Sequence, residues 1–156
     1  MDKVNDADRL IGELAQVLGL GQIGANADGG YQLSLGADTE IIFFGGDTGE
    51  SLLVVVPIAT LPLRPEYGPM LYLFRQNLFD TFNGGFRIAA DEGGTLVFWT
   101  RLATAGLSGE QLAALADGVS DRVAELRAQL NGEGDEPIDD TPFPGTDSEE
   151  MVHLRG

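Results

Sequence analysis

Gly19, Gly21 and Gly24 spell GxGxxG, the first spacing in this chain that fits a chemistry. A dinucleotide site needs a strand before this motif and a helix after it, so that the pyrophosphate meets a helix N-terminus. Here a helical pattern precedes it and the turn Asn26–Gly30 follows, so the glycines read as a helix stop and linker. Asn26, Asp28 and Gly29 resemble part of a calcium loop. Its first and last ligand positions, however, fall on Gly24 and Leu35, which carry no carboxylate. His153 is the single histidine and stands in an acidic tail, with no third group to orient it as a base. Gly-x-Ser-x-Gly is absent, and without cysteine there is no thiolate, disulfide or thiolate-bound metal. The pairs Asp139-Asp140 and Glu149-Glu150 read as solvated charge. No catalytic, cofactor-binding or metal-binding residue is expected, and an enzyme is not expected.

What the chain offers instead is apolar surface, concentrated between Gly68 and Leu102. Met70, Leu71, Phe74 and Leu78 recur at helical spacing. Leu73 and Phe79 sit off that line, so the predicted helix over Tyr67–Phe82 is apolar on more than one side. Asp91-Glu92-Gly93-Gly94 then predicts a hairpin between strands at Phe86–Ala90 and Thr95–Leu102. On the second strand Phe98 and Trp99 point to opposite faces; one enters the core and the other faces a partner or a helix.

The flanking elements position this segment. Asn5 or Asp6 caps a first helix carrying Leu10, Ile11, Leu14, Val17 and Leu18, which ends at Gly19 and Gly21. Strands follow at Tyr31–Leu35, Glu40–Phe44 and Leu52–Ile58. The first alternates apolar and polar residues and has one wet face. The continuous apolar run Leu52–Val56 reads as buried on both faces. Pro57, Pro62 and Pro65 break the chain before the second helix. Ser108 with Gln111 forms a capping box for a last helix striped by Leu112, Leu115, Val119, Val123, Leu126 and Leu130. Short glycine-rich turns imply antiparallel pairing, so the fold class is α+β: a twisted sheet of about five strands with three helices, ordered α-β-β-β-α-β-β-α.

The bulk properties agree. A chain of 156 residues buries about 70% of its unfolded surface, and its 43% apolar content fills one core. Nine basic against 25 acidic residues leave a net charge of −16, which disfavours nucleic acid and anionic membrane as partners. The N-terminus lacks a signal pattern, and the longest apolar run, near Leu52–Ile58, is far short of the roughly 20 residues that span a bilayer. A cytoplasmic protein is expected. From Asn131 onward eight acids face Arg155 alone, among Pro137, Pro142 and Pro144. This segment, 131–156, reads as a disordered tail appended to a domain over 1–130, with Phe143 and Met151-Val152 as candidates for a short docking motif.

Leu71–Phe79 (LYLFRQNLF) and Leu96–Leu102 (LVFWTRL) resemble the middle of the class I type III secretion chaperones, the Tir chaperone (CesT) family. The element order matches that family across residues 5–130. The resemblance implies a bacterial cytoplasmic homodimer that holds the N-terminal chaperone-binding region of an effector in extended form and keeps it secretion-competent. The secretion-apparatus ATPase is a further candidate partner. The alternative is a binding protein of the same fold that titrates a secretion regulator. Carried over by position, Leu71, Phe74, Leu78 and Trp99 are the expected dimer residues. Leu10, Leu14, Leu33 and Ile42 are the expected effector-groove residues.

Overall fold

The structure, a computed structural model, describes residues 5–62, 64–78 and 85–132. Helix α1 spans Asp6–Val17 and is capped by Asn5, whose side chain accepts from the Ala7 amide at 3.1 Å. It stops in a Schellman motif. Gly19 takes φ 68°, its N–H donates to the Gln16 carbonyl, and the Leu20 N–H reaches back to Ala15 at 2.8 Å. The first glycine of the apparent nucleotide motif is thus a helix terminator. Asn26 has a comparable local task, because its side-chain oxygen accepts from the amides of Asp28 (3.0 Å) and Gly30 (2.8 Å).

Five strands follow the expected order: β1 (Tyr31–Leu35), β2 (Thr39–Gly45), β3 (Ser51–Thr60), β4 (Arg87–Ala90) and β5 (Thr95–Ala103). They form one antiparallel sheet in the spatial order β1-β2-β3-β5-β4. Between β4 and β5, Asp91 holds the hairpin by accepting from the Thr95 amide at 2.8 Å, while Gly94 adopts φ 80°. Helix α3 (Gly109–Leu130) opens with the reciprocal Ser108–Gln111 capping box.

α1 and α3 pack on each other and cover one face of the sheet. Leu10, Ile11 and Leu14 meet Leu112, Ala116, Val119, Val123 and Leu126. Beneath them lie Leu33, Ile41, Phe43, Leu52, Val54, Val56, Ile58, Ile88, Leu96 and Phe98. Burial of each large side chain contributes about 1.5–3 kcal/mol, so this single layer contact is the main source of stability. Phe86 stacks on Phe98 with centroids 4.5 Å apart. Among the described residues every buried side-chain polar atom has a hydrogen-bond partner.

Three expectations need correction. Leu52–Val56 is buried on one face only: Leu52, Val54 and Val56 are enclosed, but Leu53 and Val55 are half-buried because the helices cover a single side of the sheet. β3 does not end at Ile58 but runs on to Thr60, through a register shift between Pro57 and Ala59. Helix α2 spans Tyr67–Gln76, shorter than expected. Its C-cap, Asn77, is held by the edge of β4, donating to the Ile88 carbonyl at 2.8 Å and accepting from the Ile88 amide at 2.7 Å. The remainder of the expected helix, from Phe79 to Phe82, lies outside the described residues, as does the tail beyond Gly132.

Candidate partner-binding surfaces

Alternation along β2, β3 and β5 sends every second side chain away from the helices. On that side the register sets Ile42 opposite Val55, Val55 opposite Trp99, and Trp99 opposite Arg87. Phe44, Leu53 and Arg101 form the neighbouring row; Pro57, Val97 and Ala89 form another. Directly paired residues of antiparallel strands share a face, so β2, β3 and β5 contribute one continuous apolar surface, bordered by Arg87 and Arg101. Ile42, Phe44, Leu53, Val55, Pro57, Val97 and Trp99 are all half-buried, whereas Ile41, Phe43, Leu52, Val54, Val56, Ile58, Leu96 and Phe98, which alternate with them, are enclosed. At one border the loop preceding β1 approaches this face closely. A Cβ on Gly30 would stand 2.7 Å from Phe44 Cε1 and 2.9 Å from Ile42 Cγ2, so a larger residue there would have to displace these side chains.

α2 supplies a second apolar surface. It is fixed from below by Leu73, which is buried in the core, and from its end by Asn77. Tyr67, Leu71 and Phe74 fall at i, i+4 and i+7 and so lie along one stripe, and Leu78 follows just past the C-cap, its N–H donating to the Arg75 carbonyl at 3.1 Å. Tyr67 is 77% exposed, Phe74 63% and Leu78 53%, with Leu71 half-buried. These large apolar side chains form an exposed patch along and just past α2, a candidate interaction surface.

The shifted ionisable groups brace α1 and lie away from the open sheet face. The Arg9 side chain, and after it the Gly109 N–H donating at 3.0 Å, hold the Glu13 carboxyl below the usual carboxylate range. Asp8 accepts from the Tyr31 hydroxyl and raises the Tyr31 pKa. Neither arrangement pairs a nucleophile with a base. Among the described residues, no group of three or more His, Cys, Asp or Glu side chains is placed to hold a metal ion, and no helix is long and apolar enough to cross a membrane.

The profile of the Tir chaperone protein (CesT) family matches residues 9–127, which contain most of α1, the whole sheet, α2 and most of α3. The chain belongs to that family. Solved structures share the fold. A chain of the Yersinia pestis type III secretion chaperone SycH in complex with a stable fragment of YscM2 is 24% identical, with a TM-score of 0.61, over 76% of this chain and 97% of that one. The HopA1–SchA chaperone–effector complex gives 15% identity and a TM-score of 0.65, over 78% and 93% of the two chains. The heterodimeric ExoU–SpcU complex from the type III secretion system of Pseudomonas aeruginosa gives 23%, 0.60, 77% and 95%. No curated protein sequence matches significantly. The family is one of chaperones, not of enzymes.

Within this CesT-family fold the residues carried over by position separate into groups. Phe74 stands exposed on α2 with Leu71 beside it, Leu78 is exposed just past the end of the helix, and Trp99 lies on the open sheet face. Leu10, Leu14 and Leu33 are inside the core, and Ile42 is the member of its set on the open face. The open face also holds Phe44, Leu53, Val55, Pro57 and Val97, which residue type and spacing alone do not single out. The available signal was the alternation of Leu53 and Val55 with Leu52 and Val54, masked because all four are apolar. His153 and the acidic pairs of the tail lie outside the described residues.

Proposed function

We propose that this chain is a type III secretion chaperone that binds the N-terminal segment of an effector in extended form and works as a homodimer. The observation that carries the reading is the apolar sheet face centred on the Ile42–Val55–Trp99 row, which the helices of this chain leave open. A folded guest would need a matching surface, whereas an extended one lays alternate side chains along the face and adds main-chain hydrogen bonds at a strand edge. The complexes of its fold relatives with a protein fragment or an effector support this assignment. In it, Ile42 and Val55 contact the guest, and Leu10, Leu14 and Leu33 hold the wall behind them. Leu71 and Phe74 of α2, with Leu78 just past its end, join the two subunits, with Trp99 at the border. The net charge of −16 attracts a basic guest, but screening within about 8 Å at physiological salt leaves the affinity to apolar contacts.

The test is co-expression with N-terminal segments of effectors encoded beside this chain's gene, followed by sizing of the complex. Wild-type chain retains a segment through purification and in raised salt. Val55→Glu and Ile42→Glu, each half-exposed and placed away from the helix layer, keep the melting transition and lose the segment. Retention by both variants, or loss of the wild-type complex on adding salt, would sink the sheet-face reading in favour of an acidic-surface interaction.

A further inference from the structure

A groove of about 700 Å³ lies at the opposite end of α3 from its capping box. Its floor and walls are Leu61, Pro62, Pro69, Met70, Leu96 and Leu130, and Arg64 and Glu66 stand on the same lining. Gln129 to Gly132 form part of its wall, so the described chain leaves the domain from inside the groove. Twenty-four residues follow, 133–156, in which Phe143 is the single aromatic, between Pro142 and Pro144.

We infer that the Pro142-Phe143-Pro144 segment of the same chain docks in this groove, with the phenyl ring against Met70 and Leu130. Three arguments converge. The first is reach: the connection from Gly132 to Phe143 extends by up to about 3.5 Å per residue, more than enough to return to a groove that the chain is already leaving. The second is the ordering cost. Pro144 biases Phe143 toward extended backbone and Pro142 fixes its own φ before the segment docks, and the short tether supplies an effective concentration on the order of millimolar. Apolar contacts too weak for a separate peptide therefore suffice. The third is chemistry. A groove built of proline, leucine and methionine accepts a Pro-Phe-Pro anchor, and Asp139-Asp140 just before it bring acid towards Arg64. Glu66 offsets part of that attraction, so apolar contact dominates. Because Pro69 and Met70 belong to the first turns of α2, a docked tail also buttresses the helix that bears the exposed stripe. The inference concerns the tail and stands apart from the effector reading.

The chain has no cysteine, so Thr146→Cys in the full-length protein accepts a single nitroxide label. In spectra of the isotope-labelled protein, the amides of Leu61, Met70 and Leu96 should lose most of their intensity, while those of α1 keep theirs. Adding Phe143→Ala, which alters no described residue, should restore the lost signals. The inference fails if those amides are unaffected, or if the loss persists in Phe143→Ala. It also fails if the loss arises only between separately nitroxide-labelled and isotope-labelled molecules, since the anchor would then occupy another copy.

Discussion

Arg127 donates through Nε to the backbone carbonyl of Ile58 at 2.7 Å, joining the last turn of α3 to the end of β3. The same guanidinium reaches the Pro57 carbonyl at 3.1 Å and the Thr39 hydroxyl of β2 at 3.2 Å. The β2–β3 ladder runs from Ile42–Val55 to Gly45–Leu52, so beyond Val55 the strands have parted and Pro57 has no N–H to offer. Arg127 fills the opening with a planar fork of donors. Arg127→Met should destabilise the fold by about 2 kcal/mol, because it leaves carbonyls without partners. Arg127→Lys should recover only part of this, since an ammonium cannot bridge the three acceptors in one plane. Urea melts of the two variants check both expectations.

α3 approaches α1 closely at Gly109, where an added Cβ would lie 2.6 Å from the Glu13 carbonyl carbon and 2.7 Å from the Leu14 nitrogen. These are backbone atoms and cannot rotate away. Gly109→Ala should therefore force the helices apart and cost about 1–3 kcal/mol, visible as a lowered thermal midpoint.

Glu13 makes stability depend on acid. Arg9 and the Gly109 N–H lower its folded pKa, so the folded state favours the carboxylate. The contribution is complete above the ordinary Glu value of about 4.3 and is lost as pH falls through the lower folded value. Glu13→Gln should reduce stability at neutral pH and flatten the decline in acid. Paired melts at neutral pH and near pH 3.5 read the difference; parallel wild-type and variant curves would remove Glu13 from the account.

Asn77 couples α2 to the sheet through its two hydrogen bonds with Ile88. Asn77→Ala should free the β4 edge and cost about 1–2 kcal/mol. Hydrogen exchange at Ile88 should accelerate while exchange in β2 and β3 stays slow. Equal acceleration across the sheet would mean that the variant destabilises the whole domain.

The exposure of Phe74 separates assembly from folding. At 63% exposed, it contributes little to the single-chain core, so Phe74→Asp should convert the proposed dimer to a folded monomer. Light scattering with circular dichroism reads both properties. A wild-type monomer at micromolar concentration would end the dimer reading.

The sequence by itself determined the elements whose causes are local. The Asn5 cap, the Gly19 stop, the Asp91–Gly94 hairpin and the Ser108–Gln111 box each join residues a few positions apart, and each is legible from residue type and spacing. The segments Leu71–Phe79 and Leu96–Leu102 also carried the family, to which the chain belongs. Alternation placed Phe98 and Trp99 on opposite faces, but it cannot say which face a helix covers. That depends on β5 pairing with both β3 and β4, and on α1 meeting α3 across about a hundred residues of chain. The same long-range packing enclosed Leu10, Leu14 and Leu33 while leaving Ile42 on the open face, and it opened one side of the wholly apolar run in β3. It also recruited Asn77 to the edge of β4, closing α2 at a residue whose helical pattern would have continued. Periodicity records what a side chain prefers; the tertiary structure decided which preferences were met within this chain and which remain for a partner.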